Sequence, residues 1–547
     1  MSLPRMPRPA RLRLVRCVLV ILLVPILTSA LAPSASAELV ALTRKISGDL
    51  SLGGSVLEFD VSPDGQFAVY RAYPSDPEDV AVPELFSVAL EGGDPVKLNH
   101  ALPPESYVIN WEISPDSQRV VYAVCPEPFV YAMSELYSVP IAGGSATRLN
   151  SASMGPDDRL YDWTISPDGQ RVAYVAEHVP SPPSTRALFS VPIGGGPVVW
   201  LAGFPVSCPT CRIDYEFTPN GVGVVVYKYL EIGTGALSVV YATGGAETVL
   251  ALNVVDWRIA PNNAGVVYEA KESDSESTAL FARLFAGDAP VQLTTGTEDS
   301  PKRFSITPNS LGVVYRLDLG ASGHALYAVP STGGATPVQL TPLAADTWIP
   351  VFHITPNSLG VVYVVGTPAS TRYALRAVSI LGDSPPVNLT GSLRDEAPFA
   401  IMPNSLGVVY AEQDAAGGDR LYAAVIDGSA RVALSPQLPP GGMVYDLTIR
   451  PDSRGVVYAA NQDREDVTSI YAVASTGGAP LFIDEMVYKR VGMMITYRHW
   501  WRITPNNAVV YMAQREATTE AEPEFDLFLA HGTVHKTYVS LVRTEPE

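Results

Sequence analysis

The 547-residue sequence is poor in the side chains from which reaction centres are most often built. It holds four cysteines and seven histidines. The histidines (His100, His178, His324, His353, His499, His531, His535) show no H-E-x-x-H and no pairing at ligand spacing, which removes the zinc-protease pattern. There is no G-x-S-x-G nucleophile elbow, and too little chain follows Tyr511 for a hydrolase domain. Basic residues are outnumbered by acidic ones, 37 to 56, so a nucleic-acid partner, which needs a basic surface, is excluded. The main apolar run, residues 18–31, is short and broken by Pro25, so stable membrane insertion is not expected.

That run has another use. Arg5, Arg8, Arg11, Arg13 and Arg16 precede it, and Ala35-Ser36-Ala37 follows it, which is the order of a secretory signal cleaved before Glu38. Residues 1–37 are therefore expected to direct export, leaving a secreted, periplasmic or cell-surface protein of residues 38–547. Losing the five arginines takes the net charge from −19 to −24. Such a balance reads as a solvated acidic surface, with weak calcium binding by acidic clusters as the alternative and no other cofactor implied. A protein exported this way favours a disulfide for Cys208-Pro209-Thr210-Cys211, because a zinc site wants a second such pair. Cys125 is left odd and reads as a small buried side chain.

What the sequence has in abundance is one motif. Residues 304–315 read F-S-I-T-P-N-S-L-G-V-V-Y and return almost unchanged at 352–363 and 399–410. More worn copies extend this to ten, anchored on the residue before a proline: Ser62, Ser114, Ser166, Thr218, Ala260, Thr307, Thr355, Met402, Arg450 and Thr504. A period near 48 residues belongs to repeat architectures. Pro-Asp or Pro-Asn after the anchor marks a tight turn. Before it, large apolar residues alternate with polar ones; after it comes V-V-Y or a variant, so each turn joins two strands. A third strand (Leu85-Phe86-Ser87-Val88 in the first copy), a glycine turn and a short fourth strand complete the unit. Four short antiparallel strands per repeat make a propeller blade, and the fold class is all-β.

The S-P-D-G turn, the apolar strand ending in an aromatic, and the following L-[YF]-x-V-x-x-x-G-G-x-x-x-x-L-T resemble the TolB-type, WD40-like β-propeller repeat over nearly all of residues 38–547. The resemblance implies the fold but no single activity: the family includes periplasmic TolB, which binds protein partners, propellers joined to prolyl-peptidase domains, and some polysaccharide lyases. Ten blades exceed the usual four to eight. One wide ring is the preferred arrangement, with two tandem propellers split near residues 260–300 as the alternative. The strand-like residues 39–43 precede the first blade and have none of their own, which suits a ring closed by strands from both ends.

The candidate site residues are those at the two polar positions before each anchor, on the strand expected to line the channel: Asp60, Glu112, Asp162, Asp214, Glu216, Asp256, Arg258, His353, Asp446 and Arg502. Two of these acids at a suitable separation could hydrolyse a glycoside, and His353 could help hold a metal. The plainer expectation is ion pairing between blades. The sequence therefore points first to a non-enzymatic, monomeric scaffold binding a protein or extracellular polymer, and second to a carbohydrate-active hydrolase or lyase working in the channel.

Overall fold

Each repeat is built outward from its turn. In the first copy the Ser62 hydroxyl donates to Asp64 Oδ1 at 2.6 Å, while Asp64 Oδ1 accepts the Gln66 N–H and Ser62 Oγ accepts the Phe67 N–H. Ser114 with Asp116, Ser166 with Asp168, Thr307 with Asn309 and Thr355 with Asn357 repeat the arrangement. This is why a hydroxyl residue so often stands before the proline and an Asp or Asn after it: local side-chain bonds satisfy the backbone where the strand reverses. The third residue past every anchor has a positive φ, from Gly65 (70°) through Ser358 (63°) to Asn507 (66°).

The computed structural model describes residues 39–50, 54–74, 82–103, 106–125, 135–150, 159–178, 185–205, 212–231, 234–271, 277–287, 289–294, 301–395, 397–464, 467–486, 501–514 and 525–535. In blade 1, strands Ser55–Val61, Phe67–Tyr73, Glu84–Ala89 and Val96–Lys97 run a, b, c, d from the inner edge outward. The same order recurs ten times. The tyrosine ending V-V-Y lies on strand b and is buried in every blade. In eight blades it stacks on an aromatic of strand c, as Tyr70 on Phe86 (5.5 Å) and Tyr410 on Tyr422 (6.0 Å). Each such pair adds roughly 0.5–1.5 kcal/mol beyond its burial. The tyrosines are thus core residues, as is Cys125, buried at the end of its strand.

Ten apolar clusters hold the blades together, one per interface. Blade 1 shares a cluster with blade 2 (Val69 and Leu85 with Val108 and Tyr122), and so on around the chain. The tenth cluster joins the ends: Val56, Phe59 and Tyr70 of blade 1 pack on Val510, Met512 and Leu527 of blade 10. Residues 39–534 therefore form one closed ring, and the tandem arrangement is not adopted. At the place proposed for a split, Val267 and Leu280 of blade 5 pack on Phe304 and Val313 of blade 6. The short 42-residue step between Thr218 and Ala260 has a simple cause: the single strand Thr248–Ile259 is both strand d of blade 4 and strand a of blade 5, so no loop is needed.

Closure uses the chain's first strand as expected. Leu39–Lys45 lies beside Phe525–His535 as the outer strand of blade 10. It also pairs in parallel with Leu481–Met486 of blade 9 through Val40 and Phe482, fusing the last two blades into one eight-stranded sheet. Residues 1–37, expected to be a signal, lie outside the described residues, as do Cys208 and Cys211 and most of the longer b–c loops. Among the described residues no helix is long and apolar enough to cross a membrane.

Candidate functional site

The ten inner strands are Ser55–Val61, Tyr107–Ile113, Arg159–Ile165, Ile213–Phe217, Thr248–Ile259, Pro301–Ile306, Phe352–Ile354, Phe399–Ile401, Val444–Ile449 and Trp501–Ile503. Their large apolar residues turn between blades, while their polar residues meet those of the neighbouring inner strand. Trp111 Nε1 donates to Glu58 of blade 1 at 3.0 Å, Trp501 Nε1 to Thr448 of blade 9 at 3.1 Å, and Arg502 Nε to Asp60 of blade 1 at 2.8 Å. The polar positions thus line a common inner wall. Glu112, Asp162, Glu216, Arg258 and His353 are exposed there, so the channel is wet.

A β-bulge shapes the wall. In blades 1, 2, 3, 5, 6 and 9 the a–b pairing slips by one residue just before the outer polar position, between Leu160 and Asp162 in blade 3. Asp162, Asp256 and Asp446 accept the N–H of the residue that follows them, at 2.9, 2.9 and 2.7 Å, and Asn110 does the same. A bulge bends its strand and re-aims the neighbouring side chain. Sequence reasoning missed it; the signal for it was the recurrent Asp or Asn four residues before the anchor.

Charge is unevenly spread around this wall. Blades 1 to 5 carry Glu58, Asp60, Glu112, Asp162, Asp214, Glu216 and Asp256, whereas blades 6 to 8 carry Arg303 and His353 at the same positions. Most of the acids have a cation at hand. Glu58 meets Arg71 at 3.0 Å, Asp60 meets Arg502, Asp214 meets Arg212 at 3.2 Å, and Asp256 meets Arg258 at 2.6 Å. Arg258 also offsets Glu216, whose carboxyl burial otherwise pushes up. Among the described residues Glu112 and Asp162 have no ion-pair partner. Lost hydration pushes Glu112 up to about 7; the Ile165 N–H opposes the rise and the neighbouring Asp162 adds to it. Asp162 is raised for the same first reason, opposed by the Trp163 N–H and reinforced by Asp214. Water reaches both side chains, but the wall crowds out much of the hydration a free carboxylate keeps.

The predicted residues therefore separate. Glu112, Asp162 and Asp214 come together across blades 2 to 4, and Glu216, Asp256 and Arg258 across blades 4 and 5. Asp60 and Arg502 form the bridge between the first and last blades. Asp446 accepts the Leu447 N–H at the bulge of its own strand. His353 stands apart from the acids, between Arg303 and the Phe399 ring at 5.5 Å; burial and Arg303 both lower its pKa, so it is neutral at pH 7. Among the described residues no group of three or more His, Cys, Asp or Glu could hold a metal ion, and a site centred on His353 does not form there.

No family model matches the chain. No curated protein matches it either. Among solved structures it is similar to a eukaryotic initiation factor, at 12% identity over 79% of this chain and 96% of that one, TM-score 0.48. It is also similar to a TolB from Agrobacterium tumefaciens, at 14% identity over 46% and 86%, TM-score 0.28. A third is an oligogalacturonate lyase in complex with manganese, at 11% identity over 62% and 96%, TM-score 0.34. At these identities no activity passes from any of them to this chain.

Proposed function

We propose that the protein is an exported, non-catalytic propeller of the TolB type that takes a cationic group of a protein or extracellular polymer onto the acidic side of its channel. The observation carrying this reading is that Glu112 and Asp162 stand adjacent, exposed and without a cationic partner among the described residues, while four other acids of the same arc have one. A cation about 4 Å from a carboxylate gains from ~1 kcal/mol in bulk water to ~4 kcal/mol near a protein surface. It also favours the ionised form of both acids, so binding releases a proton from Glu112 and tightens as pH rises through 7. The ten packed interfaces hold the two acids on a stiff frame, which limits the ordering that binding must impose.

Thermal shift at pH 8 tests this, with an oligolysine and an oligoarginine against an uncharged N-acetylated oligolysine, and calcium alongside. A probe at one hundred times its dissociation constant adds about 2.7 kcal/mol. The melting temperature should rise with at least one cationic probe, and the rise should vanish in Glu112→Gln/Asp162→Asn. A flat response to every cation, or an equal rise in the double variant, would overturn the reading.

One observation favours a second reading, a glycoside hydrolase or lyase in the channel. A carboxyl raised to about 7 beside a second carboxylate is what general acid catalysis asks for. New reducing ends or unsaturated sugar products from a polysaccharide panel, abolished by Glu112→Gln, would establish that reading in place of the first.

A further inference from the structure

The a–b turns of the blades and the c–d turns of blades 1 to 9 emerge on one face of the ring, and this face changes character around the circle. Four residues past the anchor, blades 1 to 3 carry Gln66, Gln118 and Gln170, and blade 9 carries Arg454. Blades 6 to 8 carry Leu311, Leu359 and Leu406 at the same place, 68%, 64% and 65% exposed. The fold does not require leucine there, since the same turn forms with glutamine. Three large apolar side chains left in water at one repeated position are a patch that calls for a partner.

A cleft lies within this patch, between blades 7 and 8. It measures about 240 Å³, and Leu359, Val378, Pro385, Val387 and Ile426 supply its apolar lining. The Ile380 N–H donates to Leu359 O and the Ile426 N–H to Leu406 O, both at 3.0 Å. These bonds set exposed Leu381 beside Leu359 and set Leu406 beside the cleft's far wall. Small-molecule sites typically run from about 300 to 1,000 Å³, so the cleft suits one inserted side chain. Its charges are of one sign. Asp427 lines it and Asp383 sits in the turn next to lining residue Ser384, both exposed. The nearby Arg431 is engaged elsewhere, with Glu412 at 2.6 Å and over the Tyr422 ring at 4.5 Å.

We propose that the turn face of blades 6 to 8 docks a segment of a partner protein that inserts an apolar side chain into this cleft, lays further apolar side chains on the leucines, and sets a lysine or arginine against Asp427 and Asp383. This goes beyond the channel reading and uses none of its residues. A second copy of the chain is a poorer occupant, because a two-fold contact centred on the cleft brings the same acids together. An anionic lipid surface meets the same repulsion.

The test is a phage-displayed peptide library selected on the full chain and counter-selected on Leu311→Gln/Leu359→Gln/Leu406→Gln, which carries the residue blades 1 to 3 already use. Expected are peptides sharing an apolar residue near a lysine or arginine. They should bind the triple variant at least tenfold more weakly, bind Asp427→Asn more weakly, and bind Glu112→Gln/Asp162→Asn as tightly as the parent. Circular-dichroism melts check that the triple variant is folded; if it is not, Leu359→Gln alone serves. The proposal fails if no peptide separates parent from variant, or if the selected peptides are acidic. It fails equally if the parent forms a leucine-dependent dimer in sedimentation, or sediments with phosphatidylcholine vesicles through these leucines.

Discussion

Five of the ten turns place a serine where the backbone has a positive φ: Ser117, Ser310, Ser358, Ser405 and Ser453. Serine is not a residue that this conformation favours. Each of the five accepts a backbone N–H from the turn of the preceding blade, from Asp64, Asn262, Asn309, Asn357 and Asn404, at 2.9–3.0 Å. The local strain is offset by a bond between blades. Ser358→Ala should therefore cost about 1 kcal/mol, and Ser358→Gly less, because glycine relieves the strain while still losing the bond; denaturant titration separates the two. The turn itself was legible in Pro-Asp and Pro-Asn. The serine's acceptor role was not, because its donor is 49 residues away. The same holds for Glu112, whose polar position was plain from alternation but whose lack of a cation among the described residues depends on neighbouring blades. Its carboxyl titrates near 4.5 when unfolded and about 7 when folded. The native state thus holds the proton more tightly, and stability falls as pH rises from about 4.5 to 7. Glu112→Gln should melt like the parent at pH 4 and above it at pH 8. Because water reaches the side chain, the gain is held to ~1 kcal/mol.

Among the elements, strands were easier to foresee than their irregularities. Alternation before the anchor and V-V-Y after it located the a and b strands, and the c strand followed from the aromatic that stacks on the tyrosine. The bulge on the inner strands was hidden because it inserts its residue before the two polar positions and leaves their spacing to the anchor undisturbed. The double use of Thr248–Ile259 was hidden too, since a short repeat step does not say which connection has been removed. The c–d turns hold a sharper constraint than their composition suggests. Gly143 and Gly382 have positive φ, and a Cβ on either would lie 2.6 or 2.5 Å from Val96 or Val338 on strand d of the preceding blade. Gly382→Ala should cost about 1–3 kcal/mol by overpacking and left-handed strain. Adding Val338→Ala should restore part of that loss, a positive coupling that a double-mutant cycle would detect; simple additivity would mean that the close approach is not the cause.

For the whole molecule, the blade count and the use of residues 39–43 in closure were readable from the repeat and from a strand left without a blade. One ring was the preferred reading over two, and the ring is what forms, but the repeat alone did not decide it, because the unit reads the same in either arrangement. The deciding contacts join residues at opposite ends of the chain, such as Asp60 with Arg502, 442 residues apart. Closure predicts a strong dependence on the first strand. A chain beginning at Gly48 should lose several kcal/mol relative to one beginning at Leu39 and should aggregate, because the edges of blades 9 and 10 are bared; melting and size-exclusion profiles compare the two. That same strand fixes an order of events. It reaches the ribosome's exit before any other strand of the ring, yet the segment beside it is made last: Ser47, two residues beyond it, bonds Asp526, 479 residues on. At roughly 5–20 residues per second, its partner arrives about 25–100 s later. Until then the first strand lacks the neighbour that closes the ring, so the newborn protein carries an open edge at its beginning while the blades behind it are made.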